Sequence, residues 1–186
     1  SAADVVGGTH QSSGTTIFSE AFTSVTNNVE LSISGWVNAA ETGTKKFTGG
    51  TFSGSAFAKI SAFSAAQPVI KSWLVTPAIS LGTYTTKTFT FTNADGYDNG
   101  ATLKVYISTN YTGGATPWTS AWTQLPATIS SGHTTGYGSF ISSGSIDLSS
   151  YSGSIRLAFV YEGADPSSGT KATTTFEIDD VKVVGK

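Results

Sequence analysis

Three acids occupy positions where a buried strand would normally carry apolar residues. In Ile17-Phe18-Ser19-Glu20-Ala21-Phe22 the side chains of Phe18, Glu20 and Phe22 share a face if the segment is extended. The two phenylalanines mark that face as inward, so Glu20 is a carboxylate on an apolar face, costly unless paired or metal-bound. In Phe176-Glu177-Ile178-Asp179-Asp180-Val181-Lys182-Val183 the apolar phase runs through Phe176 and Ile178, then resumes on Val181 and Val183. A slip of one residue predicts a bulge at Asp179-Asp180. Asp180 starts in the phase of Phe176 and Ile178, so each terminal strand carries one inward acid. If the two strands lie side by side, a calcium ion between the carboxylates removes their repulsion, since calcium takes several oxygen ligands, bulge carbonyls among them. The other reading places Glu20 at a solvated rim or beside a Lys or Thr.

Aromatic residues form the second chemically informative set. Flat rings give stiff, apolar area on which the C–H faces of sugars stack, while neighbouring amides and acids bond the hydroxyls. The segment 110–122 holds Tyr111, Trp118 and Trp122 amid Gly and Thr. Trp118 follows Pro117 with no alternation to bury it, whereas Trp122 opens the strand-like WTQL and reads as core. Tyr97 stands with Asp98 and Asn99 in a turn, and His133, Tyr137 and Phe140 share a Gly/Ser-rich stretch. The candidate ligand-binding residues are therefore Trp118, Tyr111, Tyr97, Asp98, Asn99 and Tyr137, with capping of the sandwich ends as the alternative role for the tyrosines. Lys104, Tyr106 and Arg156 are outward residues that a sheet face could use instead.

Catalytic motifs are not apparent. Among the turn acids, Glu41, Asp95, Asp98, Glu162 and Asp165, none forms a period-2 pair on one strand, and each reads as a solvated turn residue. Neither His10 nor His133 accompanies a G-x-S-x-G elbow, and no phosphate loop occurs. The chain is expected not to be an enzyme.

The elements that must position these residues are strands. From Ile17 onward short alternating runs recur: Phe89 and Phe91 between threonines, Leu103-Val105-Ile107, and Ile155-Leu157-Phe159-Tyr161. Turn signals such as Asp95-Gly96, Asn99-Gly100 and Ser152-Gly153 separate them. Many short strands and no helical stripe predict an all-β chain, a sandwich or closed barrel over 17–186, preceded by a tail or linker at 1–16. The 186 residues can bury a core without disulfides, and there is no Cys for one. Only 12% of residues are charged and the net charge is −2, so nothing favours nucleic acid or an anionic membrane. No apolar run approaches the length of a membrane-spanning helix. The Cys-free, Ser/Thr-rich composition and a start at Ser1 suggest a segment excised from a secreted bacterial protein.

The stretches FSEAF (18–22), SGW (34–36), SWLVTPAISL (72–81), DGYDNGATLKVYIS (95–108), WTQL (122–125), SGSIDLSSYSGSIRLAFVYEG (143–163) and FEIDDVKV (176–183) resemble, in order and spacing, the extracellular jelly-roll modules of Bacteroidetes of the cleaved-adhesin and choice-of-anchor J type, relatives of the MAM sandwich. The resemblance implies a jelly-roll β-sandwich of two antiparallel sheets. It also implies a structural calcium held by Glu20 and by Asp179 or Asp180. Ala21 and Asn110 stand where that pattern would place further acids. The expected role is binding at a cell surface or in the secreted space, as a monomer, with a polysaccharide or glycan as partner and other surface proteins as the second class. Fold alone does not choose between them.

Overall fold

The structure is a computed structural model that describes residues 13–186. Ten of the strands are, in chain order, β1 (Thr15–Glu20), β2 (Val37–Thr42), β3 (Thr48–Phe52), β4 (Ser55–Ile60), β5 (Ile70–Val75), β6 (Ile79–Ser80), β7 (Lys87–Gly96), β8 (Thr102–Ser108), β9 (Thr123–Leu125) and β10 (Ile141–Ser142). They are followed by β11 (Ile146–Asp147), β12 (Ser154–Gly163) and β13 (Thr175–Gly185). A 3-10 turn, Pro117–Thr119, lies between β8 and β9. His10 lies outside the described residues, as does most of the expected tail, and the first strand begins at Thr15, two residues before the alternation at Ile17.

The strands form two antiparallel sheets. The first runs β10-β7-β13-β4-β3, with β11 also on β7 and β1 also on β13. The second runs β2-β5-β12-β8-β9, with β6 also on β12. Sequence neighbours are rarely sheet neighbours, as a jelly-roll β-sandwich requires. The inward rows are those the alternation marks. Phe89 and Phe91 of β7 meet Phe159 of β12, with ring centroids 6.3 and 5.0 Å apart. The Tyr161 hydroxyl accepts from Ala62 N–H at 2.9 Å and donates to Thr174 carbonyl at 2.8 Å, tying β12 to segments of the opposite sheet.

The two chain ends meet on β13. Its residues 176–178 pair with β4 and its residues 181–185 pair with β1, so β4 and β1 share one side of the strand. Against β7 the register breaks between Asp179, opposite Thr92, and Lys182, opposite Thr90. Asp180 and Val181 therefore face the single residue between them, a bulge at the site of the apolar phase slip. Asp180 takes a left-handed φ of 49°, which Asp tolerates better than most residues. The bulge lets both Ile178 and Val181 point inward and fully buried.

A second apolar layer covers the outer face of the β2-β5-β12-β8-β9 sheet. Trp73, Val75, Ala158 and Val160 supply its floor, and Tyr111, Trp118 and Trp122 from the β8–β9 segment lie over it. Burying the sheet face in this way removes a large apolar patch from water.

Candidate functional site

The outer face of the other sheet carries a groove of about 680 Å3, a volume typical of small-ligand sites. Phe57 and Lys59 of β4 and Glu177 of β13 form its floor. The β3–β4 hairpin, with Phe52 at its tip, makes one wall, and Tyr137 to Phe140 make the other. Strand alternation places Phe57 and Lys59 outward, because Ala58 and Ile60 point into the core. Two glycines allow the rings to lie flat on the sheet. A side chain at Gly50 would collide with the Phe57 ring, and one at Gly96 with the Tyr137 ring. Phe140 precedes β10 on the edge beyond β7, yet its ring centroid is 5.6 Å from that of Phe57 on β4. It therefore reaches across β7 and β13, over the register neighbours Ala94 and Glu177.

Glu177 is 7% exposed and makes no hydrogen bond or ion pair with any described residue, although it lines the groove. Burial pushes its carboxyl up to about 7, opposed by the positive charge of Lys59. An almost buried acid without a partner among the described residues, open to a groove lined by aromatic rings, is a group placed for a ligand.

The second wall is anchored from below. Asp95, which reads as a solvated turn acid in the sequence, is fully buried. It accepts from Ser130 Oγ at 2.5 Å and His133 N–H at 2.9 Å, and His133 Nδ1 lies at 2.6 Å. Burial alone would raise its pKa, but these donors hold it below the ordinary 3.8. Asn93 adds a bond from Ser130 N–H at 2.8 Å. His133 is thus a fastener of the loop that carries Tyr137 and Phe140.

The candidate ligand residues separate into three groups. Tyr97 and Tyr137 are more than half exposed and stand edge-to-face at 5.4 Å; Tyr137 lines the groove and Tyr97 does not. Asp98 and Asn99, beside them, are committed internally. Asp98 accepts from Gly132 N–H at 2.7 Å, and Asn99 accepts from Thr173 N–H at 2.7 Å. Trp118 and Tyr111 lie on the opposite face of the sandwich. Tyr111, expected at a ligand, is instead buried: its ring packs on Trp122 and Arg156, and its hydroxyl donates to the Gly114 carbonyl. Trp118 is half-buried against the same layer. Trp122, which reads as core, belongs to this outer layer too, with its indole N–H donating to Pro117 carbonyl at 2.8 Å. Lys104, Tyr106 and Arg156 share that face.

The acids assigned to calcium do gather where β1 meets the bulge. Glu20, opposite Val181, accepts from Phe22 N–H at 2.6 Å. Asp179 accepts from Asp180 N–H at 2.8 Å. Burial, then the negative charges of Asp180 and Glu20, push Asp179 up to about 6 despite that bond. Asp180 itself is exposed rather than inward. Among the described residues no three His, Cys, Asp or Glu side chains are grouped closely enough to hold a metal by themselves. Glu177 and Asp179 stand two apart on the same face of β13, a period-2 pair of acids on one strand. Asp179 lies outside the groove.

The molecule is thus an all-β, jelly-roll sandwich with one outer face sealed by aromatic residues and the other opened into a groove. No family model and no curated protein matches the chain. Among solved structures it is similar to the K3 cleaved adhesin domain of Lys-gingipain from Porphyromonas gingivalis, at 17% identity and a TM-score of 0.58, over 92% of this chain and 100% of that one. The K1 cleaved adhesin domain of the same protein gives 16% and 0.58, over 93% and 99%. The mannan-recognising carbohydrate-binding module TmCBM27 gives 10% and 0.50, over 94% and 99%. At these identities the likeness is one of fold: the chain shares the sandwich of cleaved adhesin domains, as the FSEAF and FEIDDVKV stretches imply.

Proposed function

We propose that this chain is a non-catalytic carbohydrate-binding module of a secreted or cell-surface bacterial protein, and that it takes polysaccharide in the groove over β4 and β13. The single observation carrying this reading is Glu177, buried, without a partner among the described residues, and framed by Phe57, Tyr137 and Phe140. Rings of this kind stack on sugar faces, and the carboxyl bonds hydroxyls. Fold likeness to a mannan-recognising module is compatible with the reading and does not carry it. Affinity electrophoresis against a polysaccharide panel tests it. Retardation by at least one polysaccharide is expected, and Phe140→Ala should weaken binding about tenfold or more. No retardation by any polysaccharide, or release of reducing ends from one, contradicts it.

A structural calcium ion at the β1–β13 clasp belongs to the same proposal. Glu20, Asp179 and Asp180 offer oxygen donors alone, which suits calcium, and bulge carbonyls would complete the shell. The raised Asp179 supports this: burial first, and then the negative charges of Asp180 and Glu20, push it up, and a bound cation would offset both. Such an ion would brace the sandwich rather than touch the sugar.

A protein-binding role, as an adhesin module, is the second reading. Phe63 and Val69 favour it: both lie in the β4–β5 segment and are 70% and 55% exposed. Under that reading Phe63→Ser weakens capture of a protein partner while the groove variants leave it unchanged.

A further inference from the structure

The groove runs obliquely across its sheet. Phe52 of β3 pairs with Ser55 of β4, Lys59 of β4 with Glu177 of β13, and Thr175 of β13 with Gly96 of β7. By these registers Phe52, Phe57, Glu177 and Gly96 fall on one diagonal of the outer face, each one strand across and two residues along from the last. The Tyr137 ring lies on Gly96, so it ends the line that Phe52 begins. With strands ~4.8 Å apart and a rise of ~3.4 Å per residue, the three steps span about 25 Å.

The lining is spread along this line rather than gathered at one point. Ser55 stands beside Phe52, Lys59 beside Glu177, and Ser139 between Tyr137 and Phe140. The Phe140 ring flanks the middle, against Phe57. Among the described residues neither end is closed. Phe52 is 76% exposed and Tyr137 is 58% exposed. A side chain added at Gly54, on the hairpin tip, or at Gly136, before Tyr137, would meet no atom within 4 Å. Past Tyr137 the aromatic surface continues onto Tyr97.

A pit closed at one end suits a single sugar or a chain terminus. An open track suits the interior of a linear chain, which enters at one end and leaves by the other. This track exceeds one pyranose ring several-fold in length, and rings set apart along it offer successive units a face to stack on. Resting on the carbohydrate reading above, we infer that the groove takes several consecutive units from within a linear polysaccharide. Phe52 and Tyr137 stack on the two outer units, and Phe57, Phe140 and Glu177 hold the middle ones.

The test titrates the whole chain with disaccharide to hexasaccharide ladders of linear xylan, mannan and β-1,4-glucan, by calorimetry. In the ladder that binds, the hexasaccharide should bind about tenfold or more tightly than the disaccharide. Phe52→Ala and Tyr137→Ala remove exposed rings and leave the core intact. Each should weaken the hexasaccharide about fivefold to tenfold and leave the disaccharide, held at Phe57 and Phe140, within about twofold. A disaccharide bound as tightly as the hexasaccharide overturns the inference. So do end variants that match the parent on the hexasaccharide, or ladders none of which binds. In that last case the carbohydrate reading survives if a polysaccharide still retards the chain in affinity electrophoresis, and falls if none does. Length-dependent binding that ignores Phe140→Ala overturns the groove reading itself.

Discussion

Three carboxylates in this chain differ in acidity because their surroundings differ. Glu177 and Asp179 are raised by burial, to about 7 and about 6. Asp95 is more buried than either, yet lies below 3.8, because it accepts three hydrogen bonds. Glu20 gives one oxygen to a backbone N–H and faces the acids of β13. The signs follow from linkage. A raised acid is protonated in the folded chain before the unfolded one, so it lowers stability when ionised and the loss is relieved as pH falls through its folded value. Without calcium, the melting temperature should therefore rise as pH falls from 8 to 5, and Asp179→Asn should remove part of that rise. Calcium needs the ionised acids, so chelation should lower the melting temperature at pH 8 and change it little at pH 5. An unchanged midpoint on chelation at pH 8, with Glu20→Ala equally indifferent to calcium, contradicts the ion. Asp95 has the opposite sign: its contribution is present above the ordinary carboxylate range and is lost in acid below it.

At the scale of elements, β13 and the loop before β10 make the site. The bulge in β13 was legible in the sequence, because Ile178 and Val181 cannot both face inward along a regular strand. Glu177 was not, because it alternates correctly with Phe176 and Ile178 and so reads as solvent-facing. Only the β3–β4 hairpin and the Phe140 ring, which arrive from distant parts of the chain, bury it. Phe57 had a readable signal, an aromatic residue in the same phase as Lys59 and out of phase with Ile60. The loop was legible as aromatic and Gly/Ser-rich, but not as anchored, because Asp95 and His133 are 38 residues apart. Asp95→Ala leaves Ser130 and His133 donors without their acceptor and should destabilise the chain by about 3 kcal/mol in denaturant titration. It should also weaken glycan binding, by releasing Tyr137 and Phe140. Normal affinity in a destabilised Asp95→Ala chain would show that the anchor does not position the wall.

As a whole molecule, the sandwich treats its two outer faces differently. The β2-β5-β12-β8-β9 face is sealed by its own tyrosine and tryptophans, with Trp73 and Trp122 ring centroids 5.4 Å apart. The other face is left open, floored by Phe57 and Glu177. The alternation of apolar residues was enough for the jelly roll, since it marks which row faces the core. It does not say which outer face another segment covers, and that is why Trp118 and Tyr111 read as ligand-binding while Phe57 and Glu177 did not. The groove is therefore the claim to test, with one titration of a neutral oligosaccharide that the chain retains, into the parent, Phe140→Ala and Trp118→Ala. Phe140→Ala is expected to weaken binding about tenfold or more, with Trp118→Ala within about twofold of the parent. The reverse order, binding lost with Trp118 and kept without Phe140, would place the site on the opposite face and contradict the account.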